Sequence, residues 1–130
     1  MTRVFHLLSA QDARRLEEEG GPWRPASLTS EGFVHLSAAE QVAGTLQVHF
    51  TAVDEALLIE VDARSLGDAL CWEPSRDGQD FPHLYRALEH SDLVRAWWLS
   101  KEARGWSVPA LGGDPAQDAP QGGPPPSWGS

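Results

Sequence analysis

From Gly32 to Leu36 the chain runs Gly-Phe-Val-His-Leu, and a helix-start signal, Ser37 with Glu40, follows at once. An apolar extended run of this length is a buried strand. A Ser three residues ahead of a Glu is the pattern of a capping box. The strand must therefore deliver His35 to the amino end of a helix, where backbone N–H groups attract anions. The segment Phe81-Pro82-His83-Leu84-Tyr85 repeats the idea of a histidine on an apolar extended run. Its proline keeps the residue before it out of the helical region. Two such histidines in a small chain predict a site built between strands.

Around these segments, period and punctuation predict the remaining elements. Arg3 to Leu8 forms a short strand, Ser9 caps a helix with Asp12 in its first turn, and Gly20-Gly21 stops it. Pro22 to Ser30 is a loop that holds Trp23 and Ser27. After the predicted cap at Ser37, Val42, Leu46 and Phe50 fall on one helix face. Ala56 to Val61 is a strand broken only by Glu60. Asp62 caps a single turn through Leu66, and Ala69 to Glu73 is another strand. Pro74 to Asp80 is a polar turn, and Val94 to Leu99 closes the set as a strand. Five or six short strands and two real helices, with helices early and strands late, make the class α+β.

Composition sets outer limits. Length allows one domain in 130 residues. The last 19 residues, Gly112 to Ser130, hold five glycines, five prolines and one aromatic. Such a stretch cannot offset the entropy of its own ordering. The domain is therefore expected over 1–110, with a disordered tail over 111–130. A formal charge of −9, with Lys101 the one lysine, disfavours nucleic acid as a partner. No apolar run reaches the roughly 18 residues of a membrane helix. The start Met1-Thr2-Arg3-Val4-Phe5-His6 lacks the form of a signal peptide, so the expected location is cytoplasmic. Cys71 has no cysteine partner and reads as a small buried hydrophobe.

Each candidate residue carries two readings. His35 is a core histidine bonded to backbone, or a site residue at a strand end. Ser37 is a cap, or a hydroxyl facing a ligand phosphate. His83 and Tyr85 lie two apart with Phe81, so they share a strand face. That face is an aromatic core stripe, or a surface that sandwiches a flat ring. Glu73, at the end of an apolar strand, is solvated, or it stabilises positive charge in a cleft shared with His35. His6 repeats the apolar-flanked pattern on the first strand. Joint metal ligation by His35, His83 and Glu73 is conceivable, but no spacing matches a structural zinc site. Gly20-Gly21 ends a helix and is no phosphate loop.

The ordered succession Val4-Phe5-His6, Ser27-Leu28, Glu31-Gly32-Phe33-Val34-His35-Leu36-Ser37 with Gln41, Trp72-Glu73, and Phe81-Pro82-His83-Leu84-Tyr85 with Leu88 resembles a small, mostly bacterial family. It is known as domain of unknown function nine-five-two, and the resemblance covers residues 3 to 100. It implies an ADP-ribosyltransferase-like fold: a bent, split β-sheet of short strands with two main helices and a cleft for NAD. It further implies that His6 bonds to a ribose hydroxyl, that Tyr85 or His83 stacks on the nicotinamide, and that Glu73 assists its departure. Ser27 and Ser37 join the nucleotide-binding set. Here Glu73 precedes Tyr85, a departure from the usual chain order of such enzymes.

Three functions follow as expectations. In the first, the chain binds or processes NAD or a related nucleotide as substrate, with no prosthetic group. His35 and His6 hold ribose and phosphate, His83 and Tyr85 hold the base, and Glu73 faces the developing charge. In the second, the same cleft binds a nucleotide or metabolite without reaction. In the third, His35-Leu36-Ser37 and His83-Leu84-Tyr85 act as the paired acid and base of a cyclic phosphodiesterase. Oligomeric state is open, with Trp97, Trp98 and Trp106 as candidate contact residues.

Overall fold

The structure, a computed structural model, describes residues 3–75, 78–109 and 111. The expected tail lies outside the described residues beyond Leu111, which itself packs against the core.

The first strand, β1 (Arg3–Ser9), passes directly into α1 (Ala10–Glu19). Ser9 is the cap, as its Oγ accepts from the Asp12 N–H at 3.1 Å. Gly20 ends the helix at φ 68°, the left-handed region where glycine escapes the Cβ penalty. The following stretch is not the expected open loop, because α2 (Ala26–Ser30) forms inside it. Gly32, at φ 91°, turns the chain into β2 (Val34–His35), a shorter strand than the apolar run predicts. Helix α3 (Val42–His49) follows a 3-10 turn. Then come β3 (Glu55–Asp62), α4 (Ala63–Leu66), β4 (Leu70–Pro74), β5 (Asp80–Leu84), β6 (Leu93–Glu102) and β7 (Gly105–Trp106). Asp62 caps α4 as expected, its Oδ1 accepting from the Arg64 N–H at 3.0 Å.

The predicted capping box does not form on Ser37. The Gln41 side chain instead accepts from the Ala38 N–H at 2.9 Å, one residue later than the pattern implies. Ser37 is committed elsewhere: its N–H and C=O exchange two 2.8 Å hydrogen bonds with Phe5 on β1. A long-range ladder contact has overridden a local cap.

That contact defines the architecture. Strands β1-β3-β6-β7 form one antiparallel sheet in that order, and β2-β5-β4 form a second. The Phe5–Ser37 bridge joins β1 to the end of β2, so the two sheets are halves of one curled antiparallel surface. The fold is α+β, with α1 and α3 the longest helices. The four-stranded half is covered on both faces. Val4, Leu8, Ile59 and Leu57 meet Leu16 and Trp23 on one side, and Phe5, Leu58 and Trp97 meet Val42 and Leu46 on the other. This explains why β3 is almost continuously apolar and not alternating.

The break in that run, Glu60, is buried on the α3 side. Its carboxylate meets Arg3 Nε at 2.9 Å and Arg95 Nη2 at 2.7 Å. The Arg95 guanidinium also lies over the Trp97 ring, 4.7 Å from its centroid. At the turn after β5, Asp92 holds the chain to α4: it pairs with both terminal nitrogens of Arg86 and accepts from Ser65 Oγ at 2.9 Å.

Candidate functional site

The three-stranded half carries most of the expected site residues on one face. On this half His35 pairs across to His83, and His83 pairs across to Cys71. Residues directly opposite share a face, so the three form a row. Two residues along, Glu73 stands opposite Phe81. Strand alternation puts Phe33 and Tyr85 on that face too. The structure therefore brings His35, His83, Tyr85 and Glu73 together on one face of this half.

The rings touch. Phe33 stacks on His83 with centroids 4.0 Å apart and planes 16° from parallel. His35 meets Phe33 edge-on at 4.9 Å and stands 5.6 Å from His83. Tyr85 lies 5.4 Å from Phe33. Each imidazole has its own carboxylate: His35 Nε2 to Glu31 at 2.9 Å, and His83 Nδ1 to Glu73 at 2.8 Å. The Tyr85 hydroxyl donates to the same Glu73 oxygen at 2.5 Å.

Electrostatics follow from these bonds. The Tyr85 hydroxyl and the His83 ring hold the Glu73 carboxyl below its usual range. Donating to that carboxylate pushes the Tyr85 phenol up to about 12, so it stays a donor at neutral pH. The side chain of Glu73 is 40% exposed, and both donors meet on one of its oxygens, leaving the other toward solvent. His83 is nearly inaccessible, and its Nε2 makes no hydrogen bond among the described residues. A carboxylate only accepts, so Nδ1 carries a hydrogen, and the buried Nε2 is left without a partner among the described residues. Such an orphan calls for an explanation, and a part in ligand chemistry is one. Tyr85→Phe should remove the largest stabilisation of ionised Glu73. Its carboxyl should then titrate at higher pH than in the wild type, read by carbon NMR of the labelled side chain. An unchanged midpoint would show that the phenol does not govern it.

Beside this face lies a cleft of about 650 Å³, within the range of small-molecule sites. It opens where β1 and β2 part. Leu7, Ser27, Glu31, His35, Ser37 and Phe81 line it. His83, Glu73 and Tyr85 do not; His83 and Glu73 stand behind the wall as the cross-strand partners of His35 and Phe81.

Two expected roles are altered by the geometry. His6 also borders the cleft, yet both its ring nitrogens are taken: Nδ1 by the His35 carbonyl at 2.9 Å, Nε2 by the Trp23 indole N–H at 2.9 Å. It has no free nitrogen for a ribose hydroxyl. The Ser37 hydroxyl is 3.0 Å from Thr45 Oγ1, which already donates to the Gln41 carbonyl. Ser37 must then be the donor to Thr45, which spends its one hydrogen. Ser27 lines the cleft from α2, while its carbonyl accepts from the N–H groups of Glu31 and Gly32. Among the described residues no three His, Cys, Asp or Glu side chains group as metal ligands.

Sequence reasoning passed over Phe33, Glu31 and Trp23 as partners. Phe33 was accessible to it, since residues two apart on a strand share a face. Glu31 lies four before His35, but the chain between them is a glycine turn and not a helix, so the spacing carries no meaning without coordinates. Nothing local links Trp23 to His6.

Comparison with known proteins agrees with this architecture. The sequence model of the family described as "Protein of unknown function (DUF952)" matches residues 7–96. A crystal structure of protein CC0527 from Caulobacter crescentus is 37% identical, with a TM-score of 0.72. It covers 85% of this chain and 95% of its own. A solution NMR structure of CC0527 is also 37% identical, with a TM-score of 0.69, covering 82% and 91%. No curated protein matches the chain. No helix among the described residues is long and apolar enough to cross a membrane.

Proposed function

The chain belongs to the DUF952 family, and from that premise we propose that its cleft binds a nucleotide of the NAD class and that Glu73, His83 and His35 act on the ribosyl bond. The observation that carries the reading is adjacency. A ligand-sized cleft is lined by His35 and Phe81, and Phe81's cross-strand neighbour is a carboxylate held ionised by Tyr85 and His83.

The chemistry is consistent with ribosyl transfer. Loss of a pyridine base from ribose builds positive charge at the anomeric carbon. A fixed carboxylate beside that carbon stabilises the transition state more than the ground state. Glu31 and His35 at the cleft wall offer an acceptor and an imidazole to vicinal hydroxyls. The Phe81 ring on the cleft wall supplies flat apolar surface for a base. The likeness of motif to ADP-ribosyltransferase-fold domains supports the same reading, with the nucleotide as substrate.

A binding module without turnover is the second reading. It is favoured by one fact: Glu73 and His83 stand behind the cleft wall and not on it.

Calorimetric titration with NAD and ADP-ribose tests the binding, and His35→Ala should weaken it. Absence of heat at millimolar ligand would remove the nucleotide reading. Glu73→Gln separates the two readings, because it keeps shape and removes charge. In an enzyme it should lower kcat about 100-fold with little change in affinity. If wild type and variant bind alike and neither releases nicotinamide, the protein is a binder.

A further inference from the structure

We infer that Trp23 is a positioning residue for the cleft, acting through the His6 ring on the backbone carbonyl of His35. The inference rests on the reading of the cleft as a ligand site. It adds a residue that contacts no ligand itself.

The argument begins with strand register. Phe5 and Ser37 exchange two backbone hydrogen bonds. In an antiparallel ladder the next such pair would be two residues on along each strand, Leu7 with His35. That pair is not made. The His35 carbonyl accepts from the His6 ring instead, and Leu7 and His35 both line the cleft. The imidazole occupies the position of a ladder bond and holds the two strands apart.

The ring can do this in only one form. An indole N–H donates and cannot accept. Because Trp23 Nε1 points at His6 Nε2 at 2.9 Å, Nε2 must be the lone pair. The single hydrogen of the neutral ring is then on Nδ1, facing the carbonyl it must serve. The inverted tautomer would set two N–H groups against each other and a lone pair against a carbonyl oxygen. Trp23 is itself immobile: it is 1% exposed and exchanges backbone hydrogen bonds with Leu88 at 2.8 and 3.1 Å. A rigid indole thus selects a tautomer, the tautomer places a carbonyl, and the carbonyl places the His35 ring on the cleft wall.

W23F tests this, because it keeps an aromatic in the core and removes one N–H. L66A serves as the comparison, being a buried core truncation outside the relay. Nitrogen NMR of the wild type should show His6 protonated on Nδ1 alone. In W23F the two tautomers should mix. Affinity for ADP-ribose should fall about tenfold, the scale of one buried hydrogen bond. L66A should lose stability and leave both readouts unchanged. A W23F protein with the wild-type tautomer and wild-type affinity overturns the inference, and so does an equal loss of affinity in L66A. If ADP-ribose does not bind even the wild type, the nucleotide reading fails. The relay is then judged by the His35 ring and amide resonances, which must move in W23F and stay in L66A; resonances that stay in both refute it.

Discussion

Replacing Glu60 with Gln is expected to destabilise the fold by about 3–5 kcal/mol, the usual penalty for breaking a buried ion pair. Glu60 is 1% exposed and meets two guanidinium groups, Arg3 and Arg95. Its amide counterpart keeps the volume and loses the charge. Arg3 would retain Asp62 at 3.4 Å, but Arg95 would no longer face the Glu60 negative charge that its Nε and Nη2 both meet. Removing a compensating charge from desolvated cations is costly in a protein interior. Urea denaturation of the two proteins measures the difference directly. A loss under about 1 kcal/mol would mean that the network is better hydrated than its burial implies. Arg95→Met in the Glu60→Gln background should recover part of the loss, because it removes one of the two facing cations.

The second large effect is a dependence of stability on pH between about 6.5 and 4, centred on His6. Burial lowers the His6 pKa from 6.5 to about 4, opposed in part by its bond to the His35 carbonyl. In the unfolded chain the ring takes up a proton near 6.5; in the folded protein it resists until about 4. Between those values the unfolded state binds more protons, so stability falls as pH falls. Above 6.5 both states are neutral and the contribution is fully present. Across the window the loss amounts to roughly 3 kcal/mol, at 1.36 kcal/mol per unit. Beyond burial, a second ring proton would point Nε2–H at the Trp23 N–H. Chemical denaturation at stepped pH should show this slope in the wild type and not in His6→Gln, once carboxylate titration common to both is subtracted. Equal slopes would show that another group governs acid sensitivity.

Much of the local structure was legible because it depends on neighbours in the chain. Ser9 and Asp62 cap helices where polar residues precede apolar periodicity, and Gly20 stops a helix where only glycine adopts its conformation cheaply. The strand character of the His35 and His83 segments followed from apolar runs and from Pro82. Alternation alone puts His83 and Tyr85 on one face.

Other readings failed for one shared reason. Ser37 has the pattern of a cap but serves a ladder with Phe5. Glu60 looks like a polar interruption but neutralises two arginines brought from distant strands. His6 has the look of a ligand residue, yet both its nitrogens serve the protein. In each case the decisive partner lies far along the chain, and its identity depends on strand register.

Residue type and spacing by themselves determined an α+β chain of short strands, with histidines on three of them and a carboxylate and phenol near one. Tertiary structure alone decided that the sheet parts between β1 and β2, that the parting makes a cleft, and that Glu73, His83 and Tyr85 form one hydrogen-bonded group behind its wall. The physical reason is range: capping and alternation act over a few residues, whereas a hydrogen bond between strands is chosen by the packing of the whole core.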